Sequence, residues 1–364
     1  MRIKIGKIKY DFSKLEFPGL SRFWKIFSYD MAVDLGTANT LVWIQDQGIV
    51  IHEPSVIARN KKTKEILAVG KDAKKMMGRS PQSIEVIRPL KDGVIADFDA
   101  AEVMLSHYIK KVHEPTSMLP KIPKPRVTIG IPSGVTEVER KAVGDAVLSA
   151  GAREANLVEE PMAAAIGAGL AVEKPEGKFI IDIGGGTSEI AVISLGGIVV
   201  GRSLRIAGDE MNEAIINYVK LKYSLLLGET TAEDVKISIG NFSDEKEKFH
   251  VVRGRDLESG LPKSIKLTTH EVREALTPVA HEIINGVTAT LEETPPELLS
   301  DIMEGGIILA GGGALVGGID KLISEKTQMP VRISDNPMSC VVMGCAELLN
   351  NKRLLNKIRV TKGK

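Results

Sequence analysis

Two short segments carry the residue types that handle phosphate. Asp34-Leu-Gly36-Thr37-Ala38-Asn39-Thr40 follows the apolar run from Met31 and leads into Leu41-Val-Trp-Ile44. Asp182-Ile-Gly184-Gly185-Gly186-Thr187 follows Phe179-Ile-Ile181 and leads into a second apolar run from Ile190. The two align without gaps. Each reads apolar run, aspartate, glycine-led turn of small and hydroxyl residues, apolar run, which is the pattern of a β-hairpin. Consecutive N–H groups in such a turn form a concave anion site, and small side chains let a phosphate come close. An aspartate two residues ahead of the turn repels phosphate unless a divalent cation stands between them. Mg²⁺ prefers one or two carboxylates together with phosphate oxygens and keeps several waters. Asp34 and Asp182 are therefore the candidate metal-side groups, acting through water. A third small-residue cluster, Ala310-Gly311-Gly312-Gly313, would admit a flat base or an α-phosphate to the backbone. No Gly-Lys-Ser/Thr occurs anywhere, which excludes a Walker-type phosphate loop.

The elements that hold these turns repeat as well. A further turn follows each hairpin at the same place, Gly48-Ile-Val and Gly196-Gly-Ile-Val. Arg126-Val-Thr-Ile-Gly-Ile131 reads as a buried strand entering a turn at Pro132-Ser-Gly134. A helix follows over 136–150, with Val138, Ala142, Val143, Ala146 and Val147 on one stripe. Gly306 to Gly313, followed by a helix over 317–326, repeats that unit in the second half. A hairpin and a later strand–turn–helix in each half predict a duplicated α/β fold. Two such halves facing each other enclose a cleft with one glycine-bearing hairpin on each side.

Composition narrows the function classes. The 364 residues are 43% hydrophobic and 26% charged, ordinary for a globular chain, and the length favours more than one domain. No apolar stretch approaches the roughly 20 residues that span a bilayer. Two cysteines, Cys340 and Cys345, support neither a disulfide framework nor a zinc site; they read as core residues in a reducing compartment. His270-Glu271 opens a metalloprotease-like pattern, but position 274 is Glu where a second His is required. The charged start lacks a secretory signal, so an intracellular location is expected.

The formal charge of +1 hides an acidic body between two basic ends, 1–29 and 351–364. Seven aromatic residues fall within the first 29. Leu20, Phe23, Trp24 and Phe27 stand at i, i+3, i+4 and i+7, opposite Arg22 and Lys25, which predicts a short amphipathic helix. Bulky aromatics beside basic residues suit an anionic membrane surface, and packing on the body is the plainer alternative. The alternating Ile3-Lys4-Ile5 and Ile8-Lys9 read either as a strand or as a basic arm. An acidic body without a binding motif argues against a nucleic-acid partner.

The ordered set of motifs resembles the MreB family of bacterial actin homologues, within the actin–hexokinase–DnaK superfamily. The resemblance runs from about Met31 to about Leu349. Besides the two hairpins it rests on Pro89-Leu-Lys-Asp-Gly-Val-Ile-Ala-Asp97, Glu159-Glu160-Pro-Met-Ala-Ala-Ala-Ile-Gly167, Ile206-Ala-Gly-Asp-Glu-Met211, Glu271-Val-Arg-Glu-Ala275 and Thr294-Pro-Pro-Glu-Leu298. It implies an actin-like fold of two duplicated α/β domains, four subdomains in all, around a central cleft for ATP and Mg²⁺. Implied boundaries are 30–57, 98–175 and 337–350 for subdomain IA; 58–97 for IB; 176–209 with 271–336 for IIA; and 210–270 for IIB. Residues 1–29 and 351–364 flank them as extension and basic tail.

By position, the resemblance places Thr37, Ala38 and Asn39 in the first phosphate loop and Gly185, Gly186 and Thr187 in the second. Glu233, Asp234, Val235 and Lys236 fall at the ribose and adenine, where Asp234 departs from the family's usual Arg, and Ala310 to Gly313 complete that side. Glu160 and Thr187 are the pair implied to position the attacking water, a task that suits phosphoryl transfer, where alignment counts for more than covalent chemistry. Met118 and Leu119 match an apolar loop that dips into the membrane beside the N-terminal helix. The implied activity is weak ATP hydrolysis coupled to self-assembly into filaments. Those filaments lie on the inner face of the cell membrane and organise the cell-wall synthesis machinery for rod shape. A small-molecule kinase of the same superfamily is the alternative, and short spacers with no evident base for a hydroxyl acceptor count against it. A DnaK-like chaperone needs a peptide-binding domain for which little chain remains.

Overall fold

The computed structural model describes residues 28–114, 123–243 and 247–360, and the backbone of 2–5 and 8–11. Two five-stranded sheets form its frame, and they share one plan. In the first, Met31–Leu35, Asn39–Ile44 and Gly48–Pro54 run as an antiparallel meander, while Arg126–Ile131 and then Glu154–Glu159 add in parallel beside Met31–Leu35. In the second, Lys178–Ile183, Ser188–Ser194 and Gly197–Leu204 form the meander, with Ile307–Ala310 and Val331–Ile333 added in parallel. Strand for strand the orders match, so the repeat read from the sequence is a repeat of topology.

Helices fill three layers around these sheets. Phe98–Val112 and Glu137–Ser149 cover the outer face of the first sheet, packing Met104, Tyr108, Val143 and Val147 on Val33, Ile129 and Ile131. Asp97 caps the first of these helices by accepting from Ala100 N, and Thr136 with Glu139 forms a capping box on the second. Val138 departs from the expected stripe and is 79% exposed. It is the second residue of that helix, where Cβ tilts back toward the N-terminus and away from the packed stripe. Outside the second sheet lie Gly208–Tyr223, Thr269–Glu292, Pro296–Gly305 and Ile319–Thr327, over Phe179, Ile181 and Ile183.

Between the sheets run Glu160–Gly167 and Cys340–Asn350. Their contact is close enough to require glycine. A Cβ on Gly167 would stand 1.9 Å from Cys340 O, and one on Gly344 1.9 Å from Ala163 O. Ala163, Ala164, Ala165, Val342 and Cys345 fill this layer against Ala32 and Leu41 of one sheet and Ile180 and Ala191 of the other. Both cysteines are buried and free, as expected of core residues. The basic tail begins as a helix, Lys352–Ile358, that buries Leu354 and Leu355 in the same layer. Its charge pattern hid that apolar pair.

Two small sheets flank the cleft. Ile57–Asn60, Ile66–Val69 and Ile84–Ile87 form one, beside the helix Lys71–Met76. Leu225–Leu226, Phe249–Asp256 and Pro262–Thr268 form the other, below the helix Glu229–Ile239. At the chain start, Arg2–Ile5 and Ile8–Asp11 pair antiparallel, the strand alternative of the two readings.

Candidate functional site

The two hairpin turns meet at the floor of a cleft of about 360 Å³ between the halves. The first turn is stiffened by hydroxyls. Gly36 N donates to Asn39 O at 3.1 Å, Ser55 Oγ donates to Gly36 O at 2.6 Å, and Thr40 Oγ1 lies 2.8 Å from Ser55 Oγ. Thr37 Oγ1 in turn accepts from Gly93 N at 3.0 Å, which ties the turn to the loop after Leu90–Lys91. The second turn is held through its backbone. Gly184 N donates to Thr187 O at 2.8 Å, and the start of Gly208–Tyr223 gives Gly208 N to Gly184 O and Asp209 N to Gly185 O. The N-terminus of Gly208–Tyr223 thereby stands at one side of the cleft, where the helix dipole favours negative charge.

Contact between the turns explains their different residues. A Cβ on Gly185 would lie 2.6 Å from Ala38 Cβ, and one on Gly186 2.7 Å from Thr37 Oγ1 and 3.1 Å from Asp92 Cα. Side chains on the first turn therefore leave no room for side chains on the second.

Beneath the turns stand three carboxylates. Asp34, half-buried, and Asp182, buried, line the floor, and among the described residues neither takes a hydrogen bond or an ion pair. Burial pushes Asp34 up to about 8, with the nearby Asp182 adding to it, and burial alone brings Asp182 to about 7. Glu160, 9% exposed at the first turn of Glu160–Gly167, is raised by burial and then by Glu189, Asp34 and Asp182. Unpaired carboxylates crowded in a dry floor destabilise a protein unless a cation joins them. Hard oxygen donors facing a phosphate cradle fit Mg²⁺, with waters and phosphate oxygens completing its shell.

The structure brings most expected residues together. Thr37, Ala38, Asn39, Gly185, Gly186, Thr187, Asp34, Asp182, Glu160, Glu233, Lys236, Gly312 and Gly313 all line the cleft. Glu160 does so and its neighbour Glu159 does not. Four expected residues are placed elsewhere. Helical spacing turns Glu233, Lys236 and Ile237 to the cleft, so Asp234 is exposed and Val235 enters the outer core. Ala310 is a buried strand residue of the middle layer. Gly311, at φ +81°, is pressed on the second hairpin, where a Cβ would meet Ile183 O at 2.2 Å and Asp182 Oδ1 at 2.4 Å. Its smallness serves packing. Leu20, Phe23, Trp24, Phe27, Met118 and Leu119 lie outside the described residues.

Other lining residues had no signal of their own. Asn212, Ile237, Leu315, Val316 and Met338 reach the cleft through tertiary placement. Gly208 and Asp209 belong to a recognised motif, and a glycine at a helix start beside a phosphate-type turn could have marked them. At the mouth, opposite charges from the two halves pair. Lys74 Nζ lies 2.6 Å from Glu233 Oε2, and Arg88 contacts Asp209 at 2.8 Å and Glu229 at 2.5 Å. Lys236 Nζ donates to Gly208 O at 2.7 Å, fixing the base of that wall.

Comparison with known proteins agrees with this architecture. The profile of the family described as MreB/Mbl protein matches residues 28–357. Cell shape-determining protein MreB of Escherichia coli (strain K12) is 49% identical over 335 residues, covering 91% of this chain and 96% of that protein. Cell shape-determining protein Mbl of Bacillus subtilis (strain 168) is 45% identical over 337 residues, 92% of this chain and 100% of that one. MreB5 of Spiroplasma citri, solved bound to ADP, superposes with a TM-score of 0.85 at 40% identity, covering 91% of this chain and 98% of that one. Its AMPPNP-bound structure gives 0.84. With its profile match, its cell shape-determining relatives and its duplicated sheets around one cleft, the chain belongs to the MreB/Mbl family of actin-like proteins.

Proposed function

We propose that this protein binds and slowly hydrolyses ATP with Mg²⁺ and assembles into filaments on the inner face of the cell membrane, where they organise cell-wall synthesis. One observation carries the nucleotide part: two touching glycine-bearing turns stand over a floor of carboxylates that have no partner among the described residues. Spiroplasma citri MreB5, 40% identical over most of this chain, was solved with ADP and with AMPPNP. The same reading divides the body into the four subdomains set out above.

In this cleft the amides of residues 37–39 and 185–187 would cradle the β- and γ-phosphates, and the ion held through water by Asp34 and Asp182 would neutralise their charge. Glu233 and Lys236 would hold the ribose side, and Gly312 and Gly313 would leave room for the base. Glu160 and Thr187, both nearly enclosed, would orient a water in line with the γ-phosphate and exclude others. The aromatic-basic segment around Leu20–Phe27, with Met118 and Leu119, would seat the filament on anionic lipid.

The test is direct. Purified protein with ATP and anionic vesicles is expected to form filaments visible by electron microscopy and to co-sediment; monomers under those conditions refute the scaffold reading. Deletion of residues 1–29 should weaken vesicle binding. Glu160→Ala should slow phosphate release by about a hundredfold while ATP still binds. Lost ATP binding in that variant would make Glu160 structural.

A further inference from the structure

Glu160 and Thr187 reach the cleft from opposite halves, so whatever sets their separation must cross the seam behind it. The strand Ser188–Ser194 starts directly after Thr187, and its second residue is Glu189, 1% exposed. This side chain does not line the cleft. Its Oε2 accepts from Ser133 N at 3.0 Å, and its Oε1 accepts from Ser203 Oγ at 2.5 Å. Ser133 belongs to the first half, two residues past the strand Arg126–Ile131, whereas Ser203 lies on the second half's edge strand.

That first-half strand is also the seat of Glu160. Ile131 pairs with Glu159, and a Cβ on Gly130 would stand 3.1 Å from Glu160 Cγ. Strand and glutamate therefore move together. No cation pairs with Glu189 among the described residues, so its burial costs stability that two neutral donors offset only in part. The charge of Glu189 is also the leading neighbour, after burial, that raises Glu160, so the two glutamates are electrostatically close.

We propose that Glu189 is a positioning residue for hydrolysis: by bridging Ser133 and Ser203 it fixes Glu160 of one half at its working distance from Thr187 of the other. Glu189 touches no reacting atom in this arrangement. It acts by holding the end of the 126–131 strand against the second hairpin. The inference rests on the ATPase reading of the cleft, and the experiment separates the two.

Single-turnover ATP hydrolysis, ATP affinity and thermal melting are measured on the full chain and on variants. Glu189→Ala is expected to slow hydrolysis at saturating ATP by at least about tenfold with affinity within about twofold, since a displacement on the order of 1 Å is enough for such losses. Glu189→Gln keeps the bridge, its amide oxygen facing Ser133 N–H and its NH₂ donating to Ser203 Oγ, and should recover most of the rate. Wild-type hydrolysis in Glu189→Ala overturns the proposal. So does a fall in affinity that matches the fall in rate, which marks a general structural role. Hydrolysis by Glu189→Gln as slow as by a folded Glu189→Ala also overturns it, because charge and not the bridge would then matter. If Glu189→Ala does not fold, Ser203→Ala cuts one arm and should slow hydrolysis by roughly threefold; an unchanged rate there overturns the bridge. A wild-type chain that binds no ATP overturns the ATPase reading itself, and this inference with it.

Discussion

The two hairpins at the cleft floor descend from one plan and have become chemically unequal. The first turn, Gly36 to Asn39, keeps side chains and is braced by hydroxyls from Thr40 and Ser55. The second, Gly184 to Thr187, has given up side chains at three successive positions and is braced by amides from the following helix. Contact at the midline is the reason: Ala38 and Thr37 occupy the space that Cβ atoms on Gly185 and Gly186 would need. A duplicated pair that closes on itself can keep side chains on one partner only.

The sharpest way to break this account is to put a side chain on the second turn. Gly186→Val drives a branched Cβ into Thr37 and the backbone of Asp92. Backbone cannot swing aside as a flexible side chain can, so the turns must part. Overpacking of this kind costs about 1–3 kcal/mol, and ATP affinity should fall by at least about tenfold. Ala38→Gly, on the opposite turn, removes a contact without adding one and should change affinity by less than about threefold. Isothermal titration with both variants decides the matter. Equal losses would mean that the turns do not constrain each other.

A second test concerns what the turns share. Asp34 and Asp182 occupy matching places, and among the described residues each is a carboxylate without a hydrogen-bond or ion-pair partner. Asp182→Asn should remove most of the gain in ATP affinity that Mg²⁺ confers, about tenfold, and should leave affinity in chelator nearly unchanged. The same substitution should raise the melting temperature of the nucleotide-free protein, because an unpaired buried charge is removed. Weaker Mg²⁺-dependent binding together with lower stability would contradict the assignment and make Asp182 a structural group.

How far the sequence reaches follows from the same contrast. The hairpins, the strand–turn–helix units and the carboxylates were legible because each is a local pattern, and the repeat made each half a check on the other. Glu160 was legible because its residue type, the proline after it and the family resemblance agreed. Placement on a helix face was less so: Asp234 and Val235 shared a motif with Glu233 and Lys236, yet helical spacing sends them to solvent and to core. Gly311 looked like a ligand-side glycine and is in fact a packing contact on Ile183. Leu315 and Met338 come from two short 3-10 turns, Gly312–Leu315 and Pro337–Ser339, and nothing local distinguishes them from other apolar residues. Glu189 is the clearest case of information held only in three dimensions, since its partners lie on two other elements.

The smallest expected effect asks whether the two kinds of bracing are equivalent in strength. Ser55 donates to Gly36 O and meets the Thr40 hydroxyl, so it serves two bonds in the first turn. In the second half the bracing hydroxyl is Ser188, which aligns with Thr40 and donates to Ile206 O at 2.6 Å. Both serines are fully buried, so a lost partner is not replaced by water without rearrangement. Ser188→Ala should cost about 1 kcal/mol, the net worth of one buried bond, and Ser55→Ala about twice that. Thr40→Val keeps shape and leaves Ser55 bonded to Gly36, so about 1 kcal/mol or less is expected there. Denaturant unfolding of the three variants reads the order. If Ser188→Ala proved the most costly, the second turn would depend on its hydroxyl more than on the helix amides, and the contrast between the two hairpins would have to be redrawn.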